Sequence, residues 1–154
     1  MSERYYIAYG SNMSAGDMRE RTPEAVLAGK TTLKGWRLQF RYGANIVRDE
    51  ASQTPAIIWK ISPQDEMSLD RYEDVPDFYV KEEWTIPVES LDGRDLGELT
   101  ALVYIMTEEA VKEKSANPVS PGWYYEIIRK AYEAFGFDTG ILEEALEESR
   151  RVPR

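Results

Sequence analysis

The chain has 154 residues, of which 42% are hydrophobic and 31% charged, enough for one core that buries about two-thirds of the unfolded surface and too apolar for a disordered segment. A net charge of −9 speaks against a nucleic-acid groove, which needs clustered Lys and Arg, and no apolar run approaches the ~20 residues of a membrane span. With neither Cys nor His in the chain, disulfides, thiolate nucleophiles, Ser-His-Asp triads and His- or Cys-ligated metals are excluded.

Any proton transfer near neutral pH must therefore fall to a carboxylate, a Lys or a Tyr with a shifted pKa. The start, Met1-Ser2-Glu3-Arg4, lacks the basic-then-apolar pattern of a leader, so a cytoplasmic location is expected, with residues 1–154 forming one domain. Tyr5-Tyr6-Ile7-Ala8-Tyr9 is an aromatic and β-branched run suited to a strand. It breaks at Gly10, where a tight turn or a close backbone approach becomes possible, into the polar loop Ser11-Asn12-Met13. Ser14 and Asp17 have the spacing of a helix cap. Strand, loop and helix start follow in order, which leaves outward-facing amides near a helix N-terminus, where negative charge is stabilised. An ordinary strand-to-helix turn would look the same.

The stretch Asp17 to Arg21 predicts a short helix stopped by Thr22-Pro23. From Leu33 to Tyr42, Trp36, Leu38 and Phe40 alternate with Arg37, Gln39 and Arg41, the period of a half-buried strand. Gly43 to Gln53 reads as a connection, and Ala56 to Ile61 as a largely buried strand. Ser62-Pro63-Gln64-Asp65 combines a cap, a first-turn proline and a first-turn acid, opening a helix that carries Met67, Leu69, Tyr72 and Glu73 before Val75-Pro76 stops it. Phe78 to Val88 is a strand with Val80, Trp84, Ile86 and Val88 on one face and Glu82 as the misfit. Asp92-Gly93 marks a turn, and Leu99 to Met106 a further strand. Glu108 to Asn117 reads as a loop or short helix. Ser120-Pro121 opens a helix with Tyr124, Ile127, Ile128, Ala131 and Phe135 at helical spacing, closed by Gly136. Ile141 to Arg150 forms a last helix, acidic first and basic last, and residues 151–154 form a frayed tail. About six strands without strict alternation of strand and helix predict an α+β fold whose sheet curls into a small mixed barrel, helices outside.

A second constellation, Leu69 to Tyr79, sets Asp70, Glu73, Asp74 and Asp77 beside aromatics at a helix end. Carboxylates there oppose the dipole, and Glu73 shares a face with Leu69 at i, i+4. That spacing predicts a carboxylate leaning toward apolar packing, whose pKa burial would raise into the range of a general base; a solvated helix end is the alternative.

Tyr9-Gly10-Ser11-Asn12-Met13, Gly43-Ala44-Asn45-Ile46, Leu69-Asp70-x-x-Glu73, Tyr79 and Ser120-Pro121-x-x-Tyr124-x-x-Ile127-Ile128 occur in the order seen in the gamma-glutamylcyclotransferase-like family, which the first 135 or so residues resemble. The resemblance implies a small barrel and an enzyme that releases 5-oxoproline from a γ-glutamyl amine or amino acid, without cofactor or metal. It places the catalytic glutamate on Glu73, the substrate loop on Tyr9, Gly10, Ser11, Asn12 and Met13, and further pocket residues on Tyr79, Tyr104 and Tyr124. The chain departs from the family pattern at Asp74, where relatives often have Gly and where an Asp tolerates left-handed backbone, and at Lys130. Trp123 and Tyr125 are expected to pack the core. The leaving group stays open among free amino acids, γ-glutamyl-lysine isopeptides and larger metabolites, and the oligomeric state is unread. A γ-glutamyl or small-anion binding protein on the same scaffold is the second reading, and a purely structural domain the third.

Overall fold

The computed structural model describes residues 4–153. Met1 to Glu3 and Arg154, on which the leader reading and part of the tail reading fall, lie outside the described residues. In chain order the elements are β1 (Arg4–Ala8), a 3-10 turn (Ser11–Met13), α1 (Ala15–Arg21), β2 (Val26–Arg41), β3 (Gly43–Ile61), α2 (Pro63–Tyr72), β4 (Tyr79–Glu89), β5 (Asp95–Met106), α3 (Glu108–Lys114), α4 (Gly122–Phe135) and α5 (Gly140–Arg151). The strands form a closed barrel in the order β1-β3-β2-β4-β5. Among the described residues there are five strands rather than about six. Every pairing is antiparallel except the one that closes the ring, where β1 runs parallel to β5 with Tyr5 opposite Ala101 and Tyr6 opposite Leu102.

The largest departure from the sequence expectation is residues 43–53, which are strand rather than connection. β2 and β3 form one long hairpin that turns through a single residue, Tyr42, at φ 64, so Arg41 pairs directly with Gly43. The polar residues from Arg48 onward lie on a part of the hairpin that is largely wet, which is why their composition hides the strand. The register jumps at Gly35 (φ 83): Lys34 pairs with Gln53 but Trp36 with Arg48. The extra residues on β3 are closed by Asp49, whose carboxylate accepts from the Ala51 amide at 3.1 Å and the Ser52 hydroxyl at 2.9 Å. The hairpin tip is itself anchored, since the Tyr42 amide donates to the Pro118 carbonyl at 2.7 Å and the Tyr42 carbonyl accepts from the Ser120 hydroxyl.

Local signals place the helices. Ser14 caps α1 by accepting from the Asp17 amide. α2 begins with both halves of a capping box between Ser62 and Asp65 and a proline in its first turn, and α4 ends at Gly136, left-handed at φ 75. α5 extends to Arg151, one residue into the expected tail. Ile7, Phe40, Ile46, Ile57, Ile58, Leu69, Leu102 and Ile128 are wholly enclosed in the core, each burial worth about 1.5–3 kcal/mol against exposure. One expectation about packing fails. Trp123, assigned to the core, is 67% exposed because it lies on the outer side of α4, while Tyr125 does pack against Phe40 with ring centroids 6.0 Å apart. Glu82, the misfit on β4, is exposed and accepts from the Trp84 indole at 2.9 Å, and Trp84 stacks on Trp36 of the neighbouring strand β2. Among the described residues no helix is long and apolar enough to cross a membrane.

The weakest ladder is β2 to β4, with one paired position, Lys30 with Glu89. Pro87 has no amide to offer, and its carbonyl accepts instead from the Thr31 hydroxyl at 2.6 Å. Beside it the backbones approach so closely that a Cβ on Gly29 would lie 2.5 Å from the Glu89 carbonyl oxygen. Gly29→Ala is therefore expected to force this seam apart and to cost roughly 1–3 kcal/mol, measured as a lower urea midpoint; an unchanged midpoint would show the seam to be slack.

Candidate active site

Where β1 ends, the chain leaves the barrel and passes over its mouth, and a cavity of about 180 Å³ opens beneath it. Three other parts of the fold complete the walls: the C-terminal end of α2 with Glu73, the β2–β3 hairpin tip with Gly43 and Ala44, and the first turn of α4 with Tyr124. Tyr79 from β4 and Tyr104 from β5 line it from the barrel.

The Tyr9–Met13 segment is shaped by a glycine that gives close approach rather than a left-handed turn. Gly10 has φ −120, and a Cβ there would sit 3.0 Å from the Ala44 Cβ and 3.6 Å from the Tyr124 hydroxyl. The Met13 and Ser14 amides close 3-10 turns onto the Gly10 and Ser11 carbonyls at 3.0 Å each. The amides of Gly10, Ser11 and Asn12, which start the turn, find no carbonyl acceptor among the described residues. These are the orphan donors that any helical start leaves. Asn12 ties the loop down through three contacts: Nδ2 donates to the Tyr6 hydroxyl at 3.1 Å, the main-chain oxygen accepts from the Trp59 indole at 2.9 Å, and Oδ1 accepts from Arg21. Met13 departs from its expected place in the site. It is 0% exposed and sits in the core rather than on the cavity wall, because the tight turn points it inward beneath the loop.

Glu73 is the C-cap of α2, at φ −86 and ψ 0, and the chain then turns sharply through Asp74 at φ 52. Asp74 is left-handed, in a place where a glycine is cheaper. Leu69, one turn back, is wholly buried, and Glu73 leans the same way, whereas Tyr72 is 45% exposed at the rim. Among the described residues no group donates a hydrogen bond to the Glu73 carboxylate. Burial without a partner pushes its pKa up to about 7, against a smaller opposing pull from the Arg21 guanidinium. A carboxylate so placed changes charge in the physiological range, as a general base requires.

The tyrosines around it divide by what their hydroxyls have left to offer. Tyr9 donates to the Tyr104 carbonyl at 2.6 Å, Tyr79 to the Ala44 carbonyl at 2.8 Å, and Tyr104 to Asp70 Oδ1 at 2.7 Å. Their protons are committed, so toward the cavity they present only acceptor oxygens. Tyr124 is the reverse: its oxygen accepts from the Ala44 amide at 3.1 Å and interacts with the Ser11 side chain, and no carbonyl takes its proton among the described residues. All four phenols are held neutral, chiefly by burial and secondarily by neighbours that include Glu73 or Asp70, which raise their pKa values. One part of the cavity thus suits a cation (Glu73 and acceptor hydroxyls), and another an anion or oxyanion (Tyr124 and the free loop amides).

Of the residues singled out in the sequence, Tyr9, Gly10, Ser11, Asn12, Glu73, Tyr79, Tyr104 and Tyr124 line one cavity, and Met13 does not. Tyr6 and Tyr72 on the wall, and Arg21 behind it, were not singled out beforehand. Arg21 carried one signal, its i, i+4 spacing from Asp17, realised as a 3.6 Å ion pair.

Comparison with known proteins bears on this geometry. Residues 6–126 match the family model described as "Gamma-glutamyl cyclotransferase, AIG2-like". No curated protein matches by sequence. Among solved structures, the chain is similar to a gamma-glutamyl cyclotransferase at TM-score 0.68 and 22% identity, covering 99% of this chain and 89% of that one. A human protein described as uncharacterised aligns at TM-score 0.70 and 23% identity with the same coverage of 99% and 89%. A yeast gamma-glutamyl cyclotransferase specific to glutathione aligns at 0.53 and 13%, covering 97% and 100%. At such identities the structures speak for the fold alone, while the family match spans most of the chain, including every residue that lines the cavity. The chain belongs to the AIG2-like gamma-glutamyl cyclotransferase family.

Proposed function

We propose that the chain releases 5-oxoproline from a γ-glutamyl amine or amino acid, with Glu73 carrying the proton in both directions. The observation that supports this reading most directly is the Glu73 carboxylate, unpartnered among the described residues, raised to about 7 and sharing one small cavity with the Tyr9–Asn12 loop. The substrate's α-ammonium fits the acceptor side of the cavity. Glu73 takes one of its protons, and the freed amine attacks the γ-carbonyl carbon of the same molecule. Closing a five-membered ring needs little beyond a held, folded conformer, an advantage worth about 7–11 kcal/mol when the geometry is good. The tetrahedral oxyanion, or else the α-carboxylate, is received by the loop amides and Tyr124; a preorganised donor to an oxyanion is worth about 3–4 kcal/mol. The bond to the leaving amine then breaks as Glu73 returns its proton to that nitrogen, and the second proton of the former ammonium passes from the ring nitrogen to the departing amine, which leaves as its ammonium.

The test is 5-oxoproline release from a panel of γ-glutamyl amino acids, isopeptides and amines. For a substrate that turns over, kcat/KM is expected to rise with pH along an acid limb centred at about 7. Glu73→Gln, which keeps the shape and removes the base, is expected to lose on the order of 10²–10⁴-fold in kcat. Binding without turnover by the wild-type chain would replace this reading with a γ-glutamyl binding protein.

The raised carboxylate also has a cost in stability. Folding lifts its pKa from the ordinary 4.5 to about 7, so the unfolded chain releases this proton first and the native state loses stability as pH climbs through that window. At 1.36 kcal/mol per unit, Glu73→Gln should be the more stable protein at pH 8 by up to about 3 kcal/mol, with the difference gone near pH 4. Urea unfolding at both pH values measures it, and a pH-independent difference would contradict the assigned burial.

A further inference from the structure

We propose that Arg21 is a positioning residue for the reaction: a strap from α1 that fixes the Asn12 end of the loop against the Glu73 end of α2. The inference rests on the function proposed above.

Arg21 stands in the last turn of α1 and meets three partners. Asp17, one turn back, steadies it at 3.6 Å. Its NH1 group donates to Asn12 Oδ1. Its guanidinium carbon lies 3.7 Å from the centroid of the Tyr72 ring, the residue immediately before Glu73. A planar guanidinium can donate along its edge and stack through its face at once, which an ammonium cannot. Each contact removes a freedom on one side of the cavity. With Oδ1 held by Arg21, the Asn12 amide has only one orientation left, with Nδ2 toward the Tyr6 hydroxyl. The Tyr72 ring, half in solvent, gains a charged partner on its face at the point where α2 gives way to Glu73.

Arg21 makes no ion pair with Glu73 itself, so it acts at one remove from the reacting atoms. It is nevertheless the cation that Glu73 feels. The other groups coupled to Glu73 electrostatically are the phenols of Tyr6, Tyr9, Tyr79, Tyr104 and Tyr124, all neutral; Asp74 follows in sequence, and Asp17 partly offsets Arg21 from α1. Loss of the guanidinium therefore has two separable effects: a looser cavity and a less acidic Glu73.

Arg21→Met and Arg21→Lys separate them. Steady-state kinetics against pH is combined with titration of the Glu73 side-chain carboxyl by ¹³C NMR in the full chain. Arg21→Met is expected to lose about tenfold or more in kcat/KM and to move both the acid limb and the NMR midpoint upward by about half a unit or more. Arg21→Lys, which restores charge without the fork, is expected to return the midpoint toward wild type while kcat/KM stays low. Full recovery of kcat/KM by Lys, or wild-type kcat/KM and limb in Met, would overturn the strap. Should Arg21→Met not fold, Arg21→Lys decides alone: low kcat/KM at an unchanged Glu73 midpoint supports positioning, and wild-type kcat/KM refutes it. If the wild-type chain turns over no γ-glutamyl compound, the proposed function fails separately. The strap is then read from the Asn12 side-chain amide protons, whose signals should shift in both variants and would stay in place if Arg21 did not hold them.

Discussion

The five residues of β1 are the constraint from which the site follows. A strand buried in a barrel must satisfy its amides and carbonyls on both edges, and β1 does so with β3 on one side and β5 on the other. Pairing with β5 is parallel and closes the ring, so the point where β1 ends is fixed relative to the whole barrel. Ala8 is the last laddered residue, and the chain must leave at the barrel mouth as Tyr9-Gly10-Ser11. The Tyr9 hydroxyl, donating to the Tyr104 carbonyl on β5, ties the chain to β5 again three residues beyond Tyr6, the last of β1 paired with it. Loop position is thus inherited from strand pairing rather than from loop sequence.

The other half of the site is set by a different balance. Glu73 ends α2 where the helix dipole disfavours its charge and where burial disfavours it more, and no donor among the described residues compensates. A carboxylate optimised for stability would be hydrogen-bonded or in water. Its neighbour Asp70 is the comparison: it accepts from Tyr104 at 2.7 Å and pairs with Lys81 at 2.9 Å. Two acids three residues apart on one helix end have thus been given opposite environments, one satisfied and one left wanting, the pattern by which environment divides roles between like groups.

Much of this was legible in the sequence, for physical reasons that differ by element. Caps at Ser14 and Ser62 and the stop at Gly136 are local, and local chemistry decides them. The Leu69–Glu73 spacing pointed to an acid leaning toward apolar packing, beside the alternative of a solvated helix end, and the residue is half-buried. What escaped was non-local. Residues 43–53 are strand because β2 supplies a partner along the hairpin, not because Arg48-Asp49-Glu50 favours extension. Trp123 looks like core by composition and is exposed because its neighbours Tyr124 and Tyr125 take the inward directions on α4. Met13 belongs to the loop motif yet serves the core, and Arg21 serves the loop from a helix that no motif covers.

The hairpin tip at Tyr42 has a consequence for how chain length can vary. Its amide and carbonyl are both held by the segment joining α3 to α4, through Pro118 and Ser120. Two residues on, Ala44 holds Tyr124 through its amide and Tyr79 through its carbonyl. An insertion between 115 and 121 would pull on the cavity wall through this coupling, as a change in catalytic geometry rather than a harmless surface extension. Residues 91–98, the exposed far end of the β4–β5 hairpin, touch none of these groups. Lengthening in relatives is better absorbed there, and it is also where a fused segment would leave the cavity undisturbed.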